Sequence, residues 1–136
     1  MITAVDTNVL LDVLSAGPHL RSSLAALDEA RLAGSMLVCE VVYAELSAAF
    51  RGDVLRLDQF LSDASIRMER SHASTLADAG SRWRRYRVAG GSRERMVADF
   101  LIGAHALGHA ERLLTRDRGF YRRWFTELDV RDPSAD

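Results

Sequence analysis

The chain alternates between short apolar runs and longer segments in which apolar residues recur every three or four positions. Short apolar runs are typical of buried strands, and the three-to-four periodicity is typical of helices. We predict strands at 2–5, 36–39, 66–69, 112–115 and 128–130. We predict helices from Asn8 to a break at Gly17-Pro18, on to about Ala33, and at 41–51, 54–64, 72–88, 95–107 and 119–125.

This alternation also predicts how the elements are arranged. Strands joined by helical crossovers form parallel sheets with helices on both faces. We therefore expect an α/β fold with a central parallel sheet of four to five strands. One domain should span residues 1–132, followed by a short tail at 133–136. Ligands of such sheets bind beyond the carboxyl ends of the strands, so functional residues are expected there.

Two acidic residues lie at predicted strand ends. Asp6 directly follows the first strand, and Asp117 lies two residues beyond the fourth. Because parallel strands end at a common edge of the sheet, both carboxylates should emerge there. Each also has a structural alternative: Asp6 can cap the helix that begins near Asn8, and Asp117 can form an Asx turn.

Two further acids lie within predicted helices. Asp99 belongs to an apolar segment, MVADFLIGAHAL, and a buried ionised carboxylate is costly unless it is paired or bound to a cation. Glu45 has only apolar residues at helical spacing around it. Acids that converge without matched arginines repel one another, and a divalent metal relieves that repulsion. The alternatives are an Asp99 ion pair with Arg95, one turn earlier, and a solvent-facing Glu45.

Composition excludes several classes of function. Cys39 is the single cysteine, which rules out an intramolecular disulfide and a four-cysteine zinc site. The absence of lysine rules out a Walker A phosphate loop. Neither a signal peptide nor a membrane-spanning stretch is recognisable, so we expect a cytoplasmic protein without membrane contact.

The net charge of −1 hides an asymmetry between the two halves of the chain. Residues 1–70 carry 6 arginines and 10 acids, whereas residues 71–136 carry 12 arginines and 9 acids. Arginines that bind phosphates, with aromatics that stack on unpaired bases, are what RNA binding needs. The candidate substrate contacts are Arg82, Arg85, Arg93, Arg116 and Arg118, with Tyr121 and Trp124 nearby. The alternative is a solvated helix face whose aromatics pack on the core.

Four segments together resemble the PIN-domain nucleases, and in length and layout the VapC-type ribonuclease toxins of toxin–antitoxin modules. The segments are VDTNVLLD at 5–12, VVYAEL at 41–46, ADFLIGAHAL at 98–107 and LLTRDRGFYR at 113–122. The resemblance implies that an acidic cluster of Asp6, Glu45, Asp99 and Asp117 binds Mg²⁺ or Mn²⁺. It also implies that Asn8 and Thr115 help to hold the metal and its waters. One departure is Cys39-Glu40, which makes Glu40 a rival carboxylate to Glu45.

The resemblance implies an RNA substrate, a cognate antitoxin protein and a homodimer. The expected activity is metal-dependent endonucleolytic hydrolysis of RNA. The main alternative is a PIN-like module that binds RNA or a partner without cleaving. A phosphatase or phosphorelay receiver is disfavoured by the absence of lysine and by Asn8, which stands where such phosphatases need a second acid. His72, His105 and His109 show no metal-ligand spacing, and we expect His105 to be structural.

Overall fold

A computed structural model describes residues 1–92, 95 and 97–134 of the chain. In this part of the chain, two helices follow each of the first three strands, and one helix separates the last two strands. The strands are β1 (Ile2–Val5), β2 (Ser35–Val38), β3 (Ile66–Met68), β4 (Arg112–Leu114) and β5 (Asp129–Arg131). The helices are α1 (Thr7–Leu14), α2 (Leu20–Ala33), α3 (Glu40–Ala49), α4 (Val54–Asp63), α5 (Ala73–Val88), α6 (Val97–His109) and α7 (Arg118–Trp124).

The strands form one parallel sheet in the order β3-β2-β1-β4-β5. Central β1 pairs Ala4 with Leu37 of β2 and with Leu113 of β4, and all three side chains are buried. The chain places β2 and β3 on one side of β1 and then crosses to place β4 and β5 on the other. Because the winding reverses between β1 and β4, a crevice opens at their carboxyl ends, where sheets of this kind bind ligands.

An aromatic cluster fixes α6 against the neighbouring helices. Phe100 is fully buried, and its ring lies 5.4 Å from Tyr86 of α5, 5.1 Å from Phe120 of α7 and 6.0 Å from Phe125. These separations are the tilted and edge-to-face contacts that aromatic rings favour. The cluster therefore holds the first turn of α6, which carries Asp99, beside α7.

The expected fold class is confirmed: the sheet is parallel, has five strands and is flanked by helices. The predicted strands agree with the observed ones to within one residue at each end. The largest difference concerns α6, which begins at Val97 rather than Arg95 and continues to His109. The tail at 133–136 stays a prediction. Among the described residues, no helix has the length and apolar character needed to cross a bilayer.

Two helical glycines provide a matched test of this packing. A Cβ at Gly103 of α6 would lie 2.5 Å from the ring of buried Phe125, whereas a Cβ at Gly80 of α5 would meet nothing within 4 Å. We expect Gly103→Ala to destabilise the protein by about 1–3 kcal/mol through overpacking. Gly80→Ala should stabilise it by about 0.5–1 kcal/mol, since alanine is the better helix former.

Urea unfolding of both variants beside the wild-type protein measures these changes. Equal effects of the two substitutions would contradict the close packing of α6 on Phe125.

Candidate active site

The carboxyl ends of β1 and β4 place Asp6 beside the Thr115 hydroxyl. The backbone N–H of Asp6 donates to the Leu114 carbonyl at 3.0 Å, which extends the parallel pairing beyond the strands. Thr115 Oγ1 donates to Asp6 Oδ2 at 2.7 Å, while Asp6 Oδ1 accepts from the Thr7 N–H at 2.7 Å. Asp6 is thus the N-cap of α1, as the capping alternative in the sequence analysis predicted. The same carboxylate also binds Thr115 at the end of β4.

Asp6 is only 6% exposed, and this burial dominates its chemistry. Burial raises the pKa of the Asp6 carboxyl from 3.8 to about 6, against the opposing hydrogen bonds from Thr115 and Thr7. The negative charges of Glu45 and Asp99 contribute to this rise. The ionised carboxylate is therefore poorly solvated and lies near two further negative charges, which a bound cation would neutralise.

Asn8 and Thr115 organise the polar groups around Asp6. The Asn8 side-chain amide donates to Asp6 Oδ2 and to Thr115 Oγ1, each at 3.3 Å, and its carbonyl oxygen accepts from the Arg116 N–H at 3.1 Å. Thr115 Oγ1 also accepts from the Asp117 N–H at 3.0 Å. The two side chains therefore tie the end of β1 to the loop that follows β4.

Glu45 reaches the cluster through Thr7, a residue that sequence analysis did not single out. The Thr7 hydroxyl donates to Glu45 Oε1 at 2.7 Å, and Thr7 directly follows Asp6. Glu45 is exposed, as its structural alternative predicted, yet its charge contributes to the raised pKa of Asp6. The sequence did contain a sign of this role: the hydroxyl residue Thr7 directly follows Asp6, at the first position of α1.

Asp99 lies in the first turn of α6 and is partly buried. Its negative charge raises the pKa of Asp6 and also that of Tyr121, so the structure brings it to the same crevice. Glu45 of α3 and Asp99 of α6 thus both act electrostatically on Asp6, which follows β1.

Asp117 is held by Arg95, and this corrects one expectation. The Arg95 guanidinium binds both carboxylate oxygens of Asp117, with Nη2 at 3.1 Å from Oδ1. It also lies 4.5 Å above the centre of the Phe120 ring. The expectation of acids without a matched arginine was therefore wrong. Arg95 precedes α6 instead of belonging to it, and it forms an ion pair with Asp117; the Asp99 charge also raises the Arg95 pKa.

Tyr121 is a second residue that sequence analysis assigned differently. It is 1% exposed, so it cannot stack on a nucleotide base as we had expected. Burial raises the pKa of its hydroxyl well above the ordinary value, and the charges of Asp6, Asp99 and Asp117 add to this effect. Its phenol is therefore a neutral, buried neighbour of the three acids.

Glu40, the rival to Glu45, faces a different part of the structure. Its carboxylate accepts from the Ser71 N–H at 2.8 Å and from the Ser71 hydroxyl at 2.6 Å. Burial raises the pKa of Glu40, but the hydrogen bonds from Ser71 outweigh it and the net shift is downward. Glu40 thus anchors the connection between β3 and α5, and Glu45 is the α3 acid beside Asp6.

The candidate substrate arginines divide by environment. Arg82 is 9% exposed and binds Asp78, Glu127 and the Trp124 carbonyl, which makes it a structural residue. Arg116 holds both oxygens of Asp12, at 2.7 and 2.9 Å. Arg85 is exposed, Arg118 is exposed and 3.6 Å from Asp132, and Arg93 lies outside the described residues.

The chemistry of the four acids is that of a site for a hard divalent cation. Asp6, Glu45, Asp99 and Asp117 would provide only oxygen ligands, which suit Mg²⁺ and Mn²⁺ and not zinc. The raised pKa of Asp6 is the electrostatic sign that a cation would be bound favourably there.

Comparison with known proteins identifies this fold. A family model described as the PIN domain matches residues 3–124. The chain belongs to the PIN domain family. No curated protein matches the chain. Members of the PIN family are generally nucleases and typically use divalent metals, so membership supports a nuclease.

Solved structures share the PIN fold over nearly the whole chain. VapBC2 from Rickettsia felis, bound to a DNA fragment from its promoter, matches with a TM-score of 0.78 and 21% identity, over 97% of this chain and 98% of that one. VapBC-1 from nontypeable Haemophilus influenzae matches with a TM-score of 0.77 and 17% identity, over 99% and 100%. FitAcB from Neisseria gonorrhoeae matches with a TM-score of 0.73 and 24% identity, over 98% of both chains.

The raised pKa of Asp6 predicts an unusual pH dependence of stability in metal-free protein. The unfolded carboxyl titrates near 3.9, so between pH 4 and 6 the folded state binds more protons than the unfolded state. Stability relative to Asp6→Asn should therefore fall by about 2 kcal/mol as the pH rises from 4 to 7.

Urea unfolding in EDTA at several pH values measures this difference. Asp6→Asn also changes the hydrogen bonds from Thr7 and Thr115, but that offset is constant with pH. A wild-type-minus-variant difference that does not depend on pH would contradict the raised pKa.

Proposed function

We propose that this PIN domain is an endoribonuclease that hydrolyses RNA phosphodiester bonds with Mg²⁺ or Mn²⁺. The observation that carries the proposal is the burial of Asp6 beside the charges of Glu45 and Asp99. Membership of the PIN family supports the nuclease assignment independently. The charges of Glu45 and Asp99 act on buried Asp6, and a divalent cation would stabilise its ionised form.

The roles of the acids follow from their positions. Asp6, Asp99 and Asp117 would hold the ion directly or through water, while Asn8 and Thr115 keep Asp6 oriented. Such an ion polarises the phosphoryl group, stabilises charge on the leaving oxygen and lowers the pKa of bound water.

Glu45 and Arg95 would act on the substrate side of the site. Thr7 fixes one oxygen of Glu45, so this carboxylate is placed to orient the attacking water or to bind a second ion. Once a cation neutralises Asp117, the Arg95 guanidinium becomes available to a phosphate oxygen. In-line attack would leave 5′-phosphate and 3′-hydroxyl ends.

Exposed arginines support RNA as the substrate. On α5, Arg84, Arg85 and Arg87 are exposed and Trp83 is 36% exposed. Arg118 is exposed directly after Asp117, at the start of α7. Guanidinium groups bind phosphates, and an exposed indole can stack on an unpaired base. These exposed residues replace Arg82 and Tyr121 as candidate RNA contacts, because Arg82 and Tyr121 are buried.

We also propose that the protein is the toxin of a toxin–antitoxin pair, as a homodimer that a cognate antitoxin inhibits. The support is the fold shared with VapBC2, VapBC-1 and FitAcB over nearly the whole chain. A further match is titled a toxin–antitoxin complex from Klebsiella pneumoniae, at a TM-score of 0.69 and 18% identity over 98% of this chain and 99% of that one.

The alternative is a PIN domain that binds RNA or a partner without cleaving. The ion pair between Arg95 and Asp117 favours this alternative, because the guanidinium already neutralises one of the four carboxylates. The two functions differ in a single measurable property, which is metal-dependent cleavage.

We expect purified protein to cleave total cellular RNA with Mg²⁺ or Mn²⁺ and to stop in EDTA. Asp6→Asn and Asp99→Asn should each lower the cleavage rate at least 100-fold, because each removes charge from the metal site. Glu111→Gln is the control of equal charge change, since Glu111 is exposed at the opposite, amino-terminal edge of the sheet.

End mapping of the fragments identifies both the target and the chemistry of the ends. Intact RNA in the presence of a metal that binds the wild-type protein would favour the non-cleaving alternative. Cleavage that persists in Asp99→Asn and in EDTA would contradict the acidic site.

Arg85 tests the substrate surface separately from the chemistry. Arg85→Ala should weaken RNA binding and reduce the salt dependence of log K by about one unit of slope, as the loss of one phosphate contact does. Arg21→Ala, an exposed arginine of α2, is the matched control. Fluorescence anisotropy in EDTA at several salt concentrations measures both, and an unchanged slope for Arg85→Ala would remove it from the interface.

A further inference from the structure

Three of the four histidines of this chain meet beside Glu69, away from the acidic cluster. His105 and His109 stack with ring centres 4.5 Å apart, and the His72 ring lies 4.6 Å from that of His109. We propose that Glu69, His105 and His109 form a second metal site, which takes a transition-metal ion of the Zn²⁺ class and not Mg²⁺.

The donors come from two parts of the fold. His105 and His109 lie four residues apart on α6, so they share one face of that helix. This is the spacing of the two histidines in H-E-x-x-H, so the expectation that these histidines lack metal-ligand spacing was wrong. Glu69 directly follows β3 and meets both: its carbonyl oxygen is 2.8 Å from His105 Nε2, and its Oε2 is 3.0 Å from His109 Nδ1. The site would therefore fasten the end of β3 to α6.

The distances are close to those of a coordination site. One ligand atom from each of the three residues lies within 4.8 Å of the other two. Tetrahedral bonds of about 2.0–2.2 Å place neighbouring donors roughly 3.3–3.5 Å apart, so the widest gap needs to close by at most about 1.5 Å. Rotation of the Glu69 side chain, which is 37% exposed, can supply that movement.

Burial distinguishes this group from a chance surface cluster. His105 is 1% exposed and the His109 side chain is 4% exposed, while the Glu69 carboxylate opens to solvent. An ion would thus enter past Glu69 and lie against two buried imidazoles. Two imidazoles and one carboxylate are a ligand set typical of zinc, with a fourth position left to water.

The protonation states are compatible with binding. The Glu69 carbonyl only accepts, so His105 Nε2 now carries a proton that must move to Nδ1 if Nε2 is to bind the ion. Ligation through His109 Nδ1 likewise moves its proton to Nε2. That proton would replace the 3.4 Å hydrogen bond which Nε2 accepts from the His72 N–H, and it would face the Thr75 hydroxyl at 3.1 Å. Since a hydroxyl both donates and accepts, Thr75 can satisfy His109 in either form and orient it as a ligand.

The site is separate from the acidic cluster, although α6 carries residues of both. Asp99 precedes His105 by six residues, about 9 Å along the helix axis. The acidic cluster offers oxygen ligands alone, which favour Mg²⁺, whereas imidazole nitrogens favour Zn²⁺. Without a metal, the same contacts form a hydrogen-bonded network, and that network alone is the opposing outcome.

The test is calorimetric titration of the full chain with Zn²⁺ in buffer that contains millimolar Mg²⁺, which occupies the acidic cluster. We expect one equivalent of Zn²⁺ to bind, with the affinity lowered at least tenfold in Glu69→Gln and in His109→Gln. His19→Gln removes the fourth histidine, at the N-cap of α2, and should keep the wild-type affinity.

Glu69→Gln preserves the shape of a partly exposed side chain, so it should fold even if His109→Gln does not. Co²⁺ absorption of the wild-type protein gives a second readout, because nitrogen ligation changes the spectrum. If no Zn²⁺ binds, or if Glu69→Gln and the wild type bind it with equal affinity, the proposal is overturned and the three residues form only a hydrogen-bonded network. Affinity lost in an Asp6→Asn, Asp99→Asn double variant but retained in Glu69→Gln would place the ion in the acidic cluster and overturn the proposal.

Discussion

The hydrogen bond between Thr115 and Asp6 links the two central strands at the point where the site is built. It joins residues 109 positions apart in the chain, and it forms only because β1 and β4 are parallel neighbours that end at the same edge. The same contact holds Asp6 in a buried position where its charge is poorly solvated. The hydrogen bonds thus fix the direction of the carboxylate, while burial raises its pKa, so that a nearby cation would stabilise its ionised form.

Two arginine–aspartate ion pairs lie around the acidic cluster. Arg95 and Arg116 each hold an aspartate with two hydrogen bonds, but they have different surroundings. Arg116 and Asp12, with Ser23 as a further donor, form a closed structural unit behind the loop that carries Asp117. Arg95 instead lies over an aromatic ring within the electrostatic reach of Asp99. The Arg116–Asp12 pair therefore supports the loop. In the other pair, a metal would compete for Asp117 and a phosphate would compete for Arg95.

The sequence could predict what depends on local pattern. Apolar runs locate all five strands, and the strand ends locate Asp6 and Asp117, because side-chain direction and strand polarity follow from period and order. It could not predict the partner of Arg95. The pair with Asp117 spans 22 positions and depends on α6 starting two residues later than its pattern indicates. Tyr121 and Arg82 were misassigned for a related reason: short amphipathic segments do not reveal which face a neighbouring helix will cover.

α6 shows how one helix can serve two kinds of chemistry. Its first turn brings Asp99 to the carboxyl edge of the sheet, and its last two turns bring His105 and His109 to the end of β3. Between them lie the buried residues Phe100, Ile102 and Ala104, together with Gly103, whose backbone lies close to the Phe125 ring. Such close packing opposes sliding of the helix along its axis. The aromatic cluster therefore holds α6 at its first turn, and Glu69 holds it at its last two turns.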